Sequence, residues 1–180
     1  MRTLFLMLGY PGAGKTTAAK IIQKLTSAEY LSSDELRGQL FTKSSFTQEE
    51  HDKLYGELDG QLDRIMGMSK NVIYDANLNR HIHRQEKYDL AKKYEYKTVL
   101  VWVQTPKEVA RRRRVEEAAH HHLVPSHETP LEMFERSAKV FEQPEGQEEY
   151  ISLDGTKLDQ DYVLSALLEA GLDIPRNAPF

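Results

Sequence analysis

The chain has no cysteine among its 180 residues. That removes disulfide frameworks, thiolate zinc sites and cysteine nucleophiles together. Long apolar runs are lacking too: the run near the start, Leu4 to Leu8, falls far short of the roughly 20 residues of a membrane-spanning helix. It has neither the n-region nor the small-residue cleavage pattern of a signal peptide, so a cytoplasmic location without membrane contact is expected. A basic excess is also missing. With 28 acidic against 24 basic side chains the formal charge is −4, which argues against coating long nucleic acid by charge alone. The apolar share, 39%, is modest but above that of disordered chains. The length suits one domain spanning residues 1–180, with room for a small helical appendage.

What is present alternates. Apolar runs at Thr3–Leu8, Glu29–Ser32, Asn71–Tyr74, Thr98–Val103 and Tyr150–Leu153 read as strands. Helical spacing separates them, over Lys15–Thr26, Glu35–Phe41, Thr47–Ser69, His81–Tyr94, Pro106–His122, Leu131–Phe141 and Tyr162–Ala170. Gly56, Gly60 and Gly67 weaken the third of these helices, by about 1 kcal/mol each against Ala. The last residues, Asp173 to Phe180, carry two prolines and are expected to trail over the surface. This β-α order predicts an α/β fold, a parallel sheet with helices on both faces and a site along the edge where the strands end.

Gly9-Tyr10-Pro11-Gly12-Ala13-Gly14-Lys15-Thr16 fits G-x-x-x-x-G-K-[ST], after a strand and opening a helix. Glycines let successive backbone N–H groups turn toward one anion. The helix N-terminus adds partial positive charge. Lys15 supplies a point charge for the β- and γ-phosphates, and the Thr16 hydroxyl can ligate Mg²⁺. The expected nucleotide-binding set is Gly9, Pro11, Gly12, Ala13, Gly14, Lys15, Thr16 and Thr17. Thr156-Lys157-Leu158-Asp159 fits a guanine-reading pattern, but Asp75-Ala76-Asn77-Leu78 lacks the glycine a GTPase switch needs. The segment Asp154–Asp159 is therefore read as the loop passing near the base, with ATP the expected nucleotide.

Two carboxylates stand at strand ends. Asp34 is suited either to take a proton from an acceptor hydroxyl or to cap the helix that follows. Asp75 is suited to hold Mg²⁺, directly or through water, or to shape a turn. Four consecutive arginines, Arg111 to Arg114, fall in one helix, with Arg111 and Arg114 on a shared face. Arginines there can neutralise charge on a transferring phosphoryl group, or form a solvated run paired with Glu108, Glu116 and Glu117. His120 to His122 read as a polar, titratable surface, and His51, His81 and His83 as surface histidines.

The string Gly9–Thr16, then Ser33-Asp34-Glu35-Leu36-Arg37, then Asp75-Ala76-Asn77-Leu78-Asn79 resembles the kinase domain of the bacteriophage polynucleotide 5′-hydroxyl kinase family. Val124-Pro125 and Phe141-Glu142-Gln143-Pro144-Glu145 extend the likeness, which runs in order over roughly residues 3–155. It implies a P-loop fold with a five-stranded sheet ordered 2-3-1-4-5 and a helical lid over about residues 106–142. It implies Asp34 as general base, Arg37 beside the acceptor or its phosphate, and Asp75 with Thr16 on the magnesium side. Asn77 and Asn79 would shape the turn beside the acceptor, and Arg84 matches a family arginine after a one-residue insertion. The sequence departs from the family at Glu116, where a second lid arginine is expected. The expected catalytic set is Lys15, Asp34, Arg37, Arg111 and Arg114. The implied activity is ATP- and Mg²⁺-dependent phosphoryl transfer to a hydroxyl, foremost a nucleic-acid 5′ end or short single strand. A small-molecule acceptor (a sugar, nucleoside or antibiotic) and a regulatory nucleotide-binding module are the alternatives.

Overall fold

The computed structural model describes residues 2–42, 44–118 and 128–174. Five parallel strands form one sheet: β1 (Thr3–Leu8), β2 (Glu29–Ser32), β3 (Val72–Asp75), β4 (Lys97–Gln104) and β5 (Tyr150–Asp154). Their order is β2-β3-β1-β4-β5, as the resemblance implies. Around them lie α1 (Lys15–Thr26), α2 (Ser33–Leu40), α3 (Gln48–Gly67), α4 (His81–Lys93), α5 (Lys107–Ala118), α6 (Pro130–Lys139) and α7 (Gln160–Glu169).

Every residue of β1 is buried, so its apolar run serves both faces of the sheet. Phe5 and Met7 pack with Ala18, Ala19 and Ile22 of α1 and with Val163 and Leu167 of α7. Leu4, Leu6 and Leu8 pack on the other face with Leu54, Leu58, Leu62 and Met66 of α3. Each such leucine contributes about 1.5–3 kcal/mol by leaving water. Gly56, Gly60 and Gly67 lie where an added methyl group meets nothing within 4 Å. They mark the outer side of α3 and weaken it through propensity alone.

Element ends within the described residues fall a residue or two from expectation. Helix α2 starts at Ser33, because the Ser32 side chain accepts from the Glu35 amide at 3.3 Å. Helix α5 is described as far as Ala118; His120–His122 and Val124-Pro125 lie outside the described residues. Of the expected tail, only Asp173 and Ile174 are described: Asp173 is exposed, while Ile174, like Leu172, is buried against the α1–α7 core, where apolar burial outweighs the polar context. No helix of the described residues is long and apolar enough to cross a membrane.

A buried ion pair fixes the approach to β5. Arg84 of α4, fully buried, donates from Nε and Nη2 to both oxygens of Glu148 at 2.8 Å. Its Nη1 reaches the Leu78 and Glu142 carbonyls. Burial acts to raise the Glu148 carboxyl, but hydrogen bonds from Arg84, Tyr88 and His81 outweigh it and hold the group down to about 2. The pair therefore contributes in full above the ordinary glutamate range near pH ~4.3 and loses that contribution as pH falls toward about 2. Glu148→Ala, which strands a buried guanidinium, is expected to cost about 3–5 kcal/mol in urea unfolding at pH 7. The deficit against wild type should narrow toward pH 2; a constant deficit would count against the pairing.

Candidate active site

The strand order reverses at β1, and the loop that leaves β1 is Gly9–Thr16. Its shape depends on glycine at two close approaches. Gly9 has φ 149° and would place a Cβ 2.6 Å from the Val103 carbonyl. Gly12 has φ 77° and would drive one into the Ala110 carbonyl of α5. Gly14 precedes α1 in the left-handed region, with no side-chain cap and no acidic residue in the first turn. The helix thus presents its amide end without an internal anion. Lys15 folds back over the loop, donating from Nζ to the Gly9 and Tyr10 carbonyls at 2.9 and 3.1 Å.

Three elements meet on one carboxylate oxygen. Asp75, ending β3 and 7% exposed, accepts through Oδ2 from Thr16 Oγ1 at 2.9 Å and from Tyr30 Oη at 2.8 Å. Burial, and then the Asp75 charge, push the Tyr30 hydroxyl up, so it remains a donor at neutral pH. Asp75 Oδ1 is left out of both bonds. A hydroxyl and a carboxylate side by side suit Mg²⁺, which takes few protein ligands and fills its shell with phosphate and water. No cluster of three or more His, Asp or Glu able to hold a metal occurs among the described residues.

A cleft of about 370 Å³ joins the loop to the ends of β2 and β3. Gly9, Pro11, Gly12, Gly14, Lys15, Thr16 and Thr17 line it from the loop, while Ala13 is buried behind. Asp34, Arg37 and Asp75 line it as well. Asp34 sits in the first turn of α2, exposed, and is not the cap: that position belongs to Ser32. It makes no hydrogen bond or ion pair among the described residues. Arg37 is buried, its guanidinium 4.6 Å from the centre of the Phe46 ring and 3.9 Å from Glu50.

The arginine run divides. Arg114 lines the cleft. Arg111 does not: it is paired with Glu108 at 2.6 Å, one turn back on the same helix. Arg112 points to solvent near Glu116, and Arg113 donates to the Gly155 carbonyl at 2.8 Å. A shared helix face placed Arg111 beside Arg114 in the sequence; in the structure Arg111 turns to Glu108 instead.

Several residues in and around the cleft escaped sequence reading. Arg136 and Ser137 enter from α6, Arg136 held by both oxygens of Glu128 at 2.9 and 2.7 Å. Ser137 Oγ accepts from Asn79 Nδ2 at 2.8 Å, which joins the turn after β3 to α6. Tyr55 of α3 accepts the Asn77 amide at 3.3 Å. Tyr10, a variable position of the motif, packs 4.6 Å from Phe141 and 6.1 Å from Phe134 between ring centres. The one available signal was the helical spacing that puts Tyr55 one position from the core stripe of α3.

The glycine-lipped loop, the strand order and the cleft at the reversal point define the P-loop nucleotide-binding fold of kinase type. The chain belongs to the AAA domain family, which it matches over residues 4–144. Solved structures share the fold at low identity. A candidate kinase from Chloroflexus aurantiacus is 16% identical with a TM-score of 0.73, covering 96% of this chain and 99% of that one. APS kinase of Mycobacterium tuberculosis, solved with AMPPNP and APS, is 16% identical with a TM-score of 0.66, covering 95% and 98%. A chain of the Pnkp1/Rnl/Hen1 RNA repair complex is 17% identical with a TM-score of 0.62, covering 82% of this chain and 50% of that one. Among curated proteins, cytidylate kinase of Sulfurisphaera tokodaii is 28% identical over 82 residues, 42% of this chain. The matched stretch spans 46% of that relative.

Gly155 supplies a test of how the loop is braced. A methyl group there collides with the Ala13 carbonyl and with Thr105 Oγ1, which itself donates to Ala13 O at 2.8 Å. Gly155→Ala is expected to cost about 1–3 kcal/mol as an overpacking change. It should also weaken binding of a fluorescent ATP analogue. Wild-type affinity in that variant would show that the loop holds its shape without the brace.

Proposed function

We propose that the chain is an ATP-dependent phosphotransferase that moves the γ-phosphate to a hydroxyl, and that the hydroxyl is the 5′ end of a nucleic acid or nucleoside. The observation that carries the reading is Asp34: an exposed carboxylate without a structural partner among the described residues, in one cleft with the phosphate loop and Arg37. Lys15 and the loop amides hold the polyphosphate. Thr16 and Asp75 would hold Mg²⁺, which when bound neutralises charge on the β- and γ-oxygens. Asp34 orients the acceptor hydroxyl and accepts its proton as the oxygen bonds to the γ-phosphorus. The bond from that phosphorus to the β–γ bridging oxygen breaks, and the electron pair leaves on ADP. Arg114 balances charge on the transferring group.

The ordered motifs around Asp34, Arg37, Asp75, Asn77 and Asn79 support this choice of acceptor, and the fold is shared with the RNA repair chain. The cleft volume of about 370 Å³ and a net charge of −4 favour an end over a long duplex. A second reading, a small-molecule acceptor, draws on likeness across nearly the whole chain to APS kinase.

Transfer from labelled ATP should therefore be measured on 5′-hydroxyl DNA and RNA oligonucleotides, nucleosides and sugars. Asp34→Asn is expected to lower turnover at least about 100-fold while ATP-analogue affinity stays near wild type. Unchanged turnover would remove Asp34 from the chemistry. Of the arginines, Arg114→Ala should lose kcat by about 1,000-fold or more, by analogy with other phosphoryl-transfer arginines. The loss in Arg111→Ala should be far smaller; equal losses would contradict the division of the run.

A further inference from the structure

The connection between α2 and α3 holds a backbone conformation that the proposed reaction leaves unexplained. Phe46 has φ 54°, in the left-handed region that bulky residues seldom adopt. The other side-chain-bearing residues with positive φ among those described are Ser27, Ser69 and Glu95. Each follows the end of a helix, where a left-handed residue closes the last turn. Phe46 closes no helix; it stands just before Thr47, the cap of α3. A hydrophobic residue there commonly staples onto the fourth residue of the helix. That residue is His51, whose ring packs on Tyr55 at 4.5 Å. The Phe46 ring instead lies over the Arg37 guanidinium, 4.6 Å from centre to Cζ.

The conformation is held from outside. Glu50 accepts from the Phe46 amide at 2.8 Å, from the Ser45 amide at 2.9 and 3.0 Å, and from Ser44 Oγ at 2.8 Å. Ser44 Oγ in turn accepts from Arg37 at 3.3 Å. One carboxylate thus fixes an aromatic ring, backed by a cation, on a wall of the cleft that also carries Asp34 and Tyr55. Strain maintained by a dedicated set of bonds within a ligand cleft points to use of the residue it aims. Phe46 is only half-buried, so the ring keeps surface for a ligand. A cation-backed aromatic ring favours a flat, heteroaromatic partner.

We infer that Phe46 is the stacking platform for the base of the acceptor's 5′-terminal nucleotide, whose 5′-hydroxyl lies at Asp34. This rests on the hydroxyl-kinase reading and narrows it: the acceptor unit carries a base, and a sugar alone lacks the group that Phe46 engages.

The test uses 5′-hydroxyl oligonucleotides with 2-aminopurine as the terminal base, whose fluorescence falls on stacking. With a non-hydrolysable ATP analogue and Mg²⁺ present, wild type should quench it. Phe46→Leu and Phe46→Gly should abolish the quench and weaken acceptor binding about 5- to 100-fold, whereas Phe46→Tyr should retain both. Phe46→Gly relieves the left-handed conformation, so its Tm should stay within about 3 °C of wild type. This separates a lost platform from a lost fold. In the second arm, an oligonucleotide with an abasic 5′-terminal sugar keeps the hydroxyl and the phosphodiester. Phe46→Leu should lower kcat/KM on the base-bearing acceptor and leave the abasic one unchanged. Equal losses on both, or no quench in wild type at saturation, would overturn the platform while leaving transfer intact. Transfer to sugars but to no oligonucleotide or nucleoside would also overturn it, with hydroxyl kinase activity still standing. Transfer to no hydroxyl at all would fail the proposed function itself, and the platform with it.

Discussion

The site depends first on how closely other backbone approaches the phosphate loop. Val103 of β4, Ala110 of α5 and Gly155 after β5 all stand nearer to residues 9–13 than a methyl group permits. Such contacts leave no room for side chains and none for the loop to relax. Its amides are therefore aimed by the sheet and not by caps, and α1 can begin with no anion of its own. The same approaches bring α5 and the turn after β5 against the loop. Arg113 is then in reach of the Gly155 carbonyl, and Arg114 in reach of the cleft. Preorganised dipoles of this kind cost nothing to reorient when charge arrives.

Around that closely packed loop the opposite wall of the cleft is built by a different means, from side chains held by other side chains. Arg37 is referenced to Glu50 and Ser44, Arg136 to Glu128, and Asn79 to Ser137. Two of the cleft's arginines are thus already matched by carboxylates, whereas the Arg114 side chain has no ion pair or hydrogen bond among the described residues. Matched arginines hold shape and contribute little net field; an unmatched one responds to incoming phosphate. The overall charge of −4 conveys nothing of this, because the balance is struck locally.

What the sequence made legible follows from the range of the forces involved. The strands, α1, α3 and the Gly9–Thr16 loop are written in local periodicity and in glycine spacing, and they emerged within a few residues of their expected ends. The sheet order came from resemblance, since no local signal encodes which strands are neighbours. Asp34 was ambiguous because a carboxylate before a helix suits both capping and chemistry; the Ser32 cap, two residues earlier, removes the capping role. Tyr30 was invisible because its partner lies 45 residues away, and Gly155 because its value is the space it leaves for Ala13. Phe46 gave no pattern at all, since a left-handed backbone is a property of Glu50 and Arg37 around it. Arg111 differs for the opposite reason: a three-residue spacing put it on the face of Arg114, and its side chain lies instead against Glu108.

The two halves of the cleft are not independent. Tyr10, inside the phosphate loop, packs on Phe134 of α6 and on Phe141 just beyond it. Phe141 continues to Trp102 of β4 at 6.3 Å, and Trp102 to Tyr150 of β5 at 5.2 Å. Tilted and edge-on ring pairs of this kind contribute about 0.5–1.5 kcal/mol each beyond their buried area, and they resist sliding because each ring has one preferred seat. Helix α6 also carries Arg136 and Ser137, the part of the cleft wall that holds Asn79. A shift of α6 relative to the loop must therefore unseat Tyr10 before it can move that wall. The aromatic choice at a nominally free position of the loop thus ties Gly9–Thr16 to the side of the cleft built from Arg136, Ser137 and Asn79.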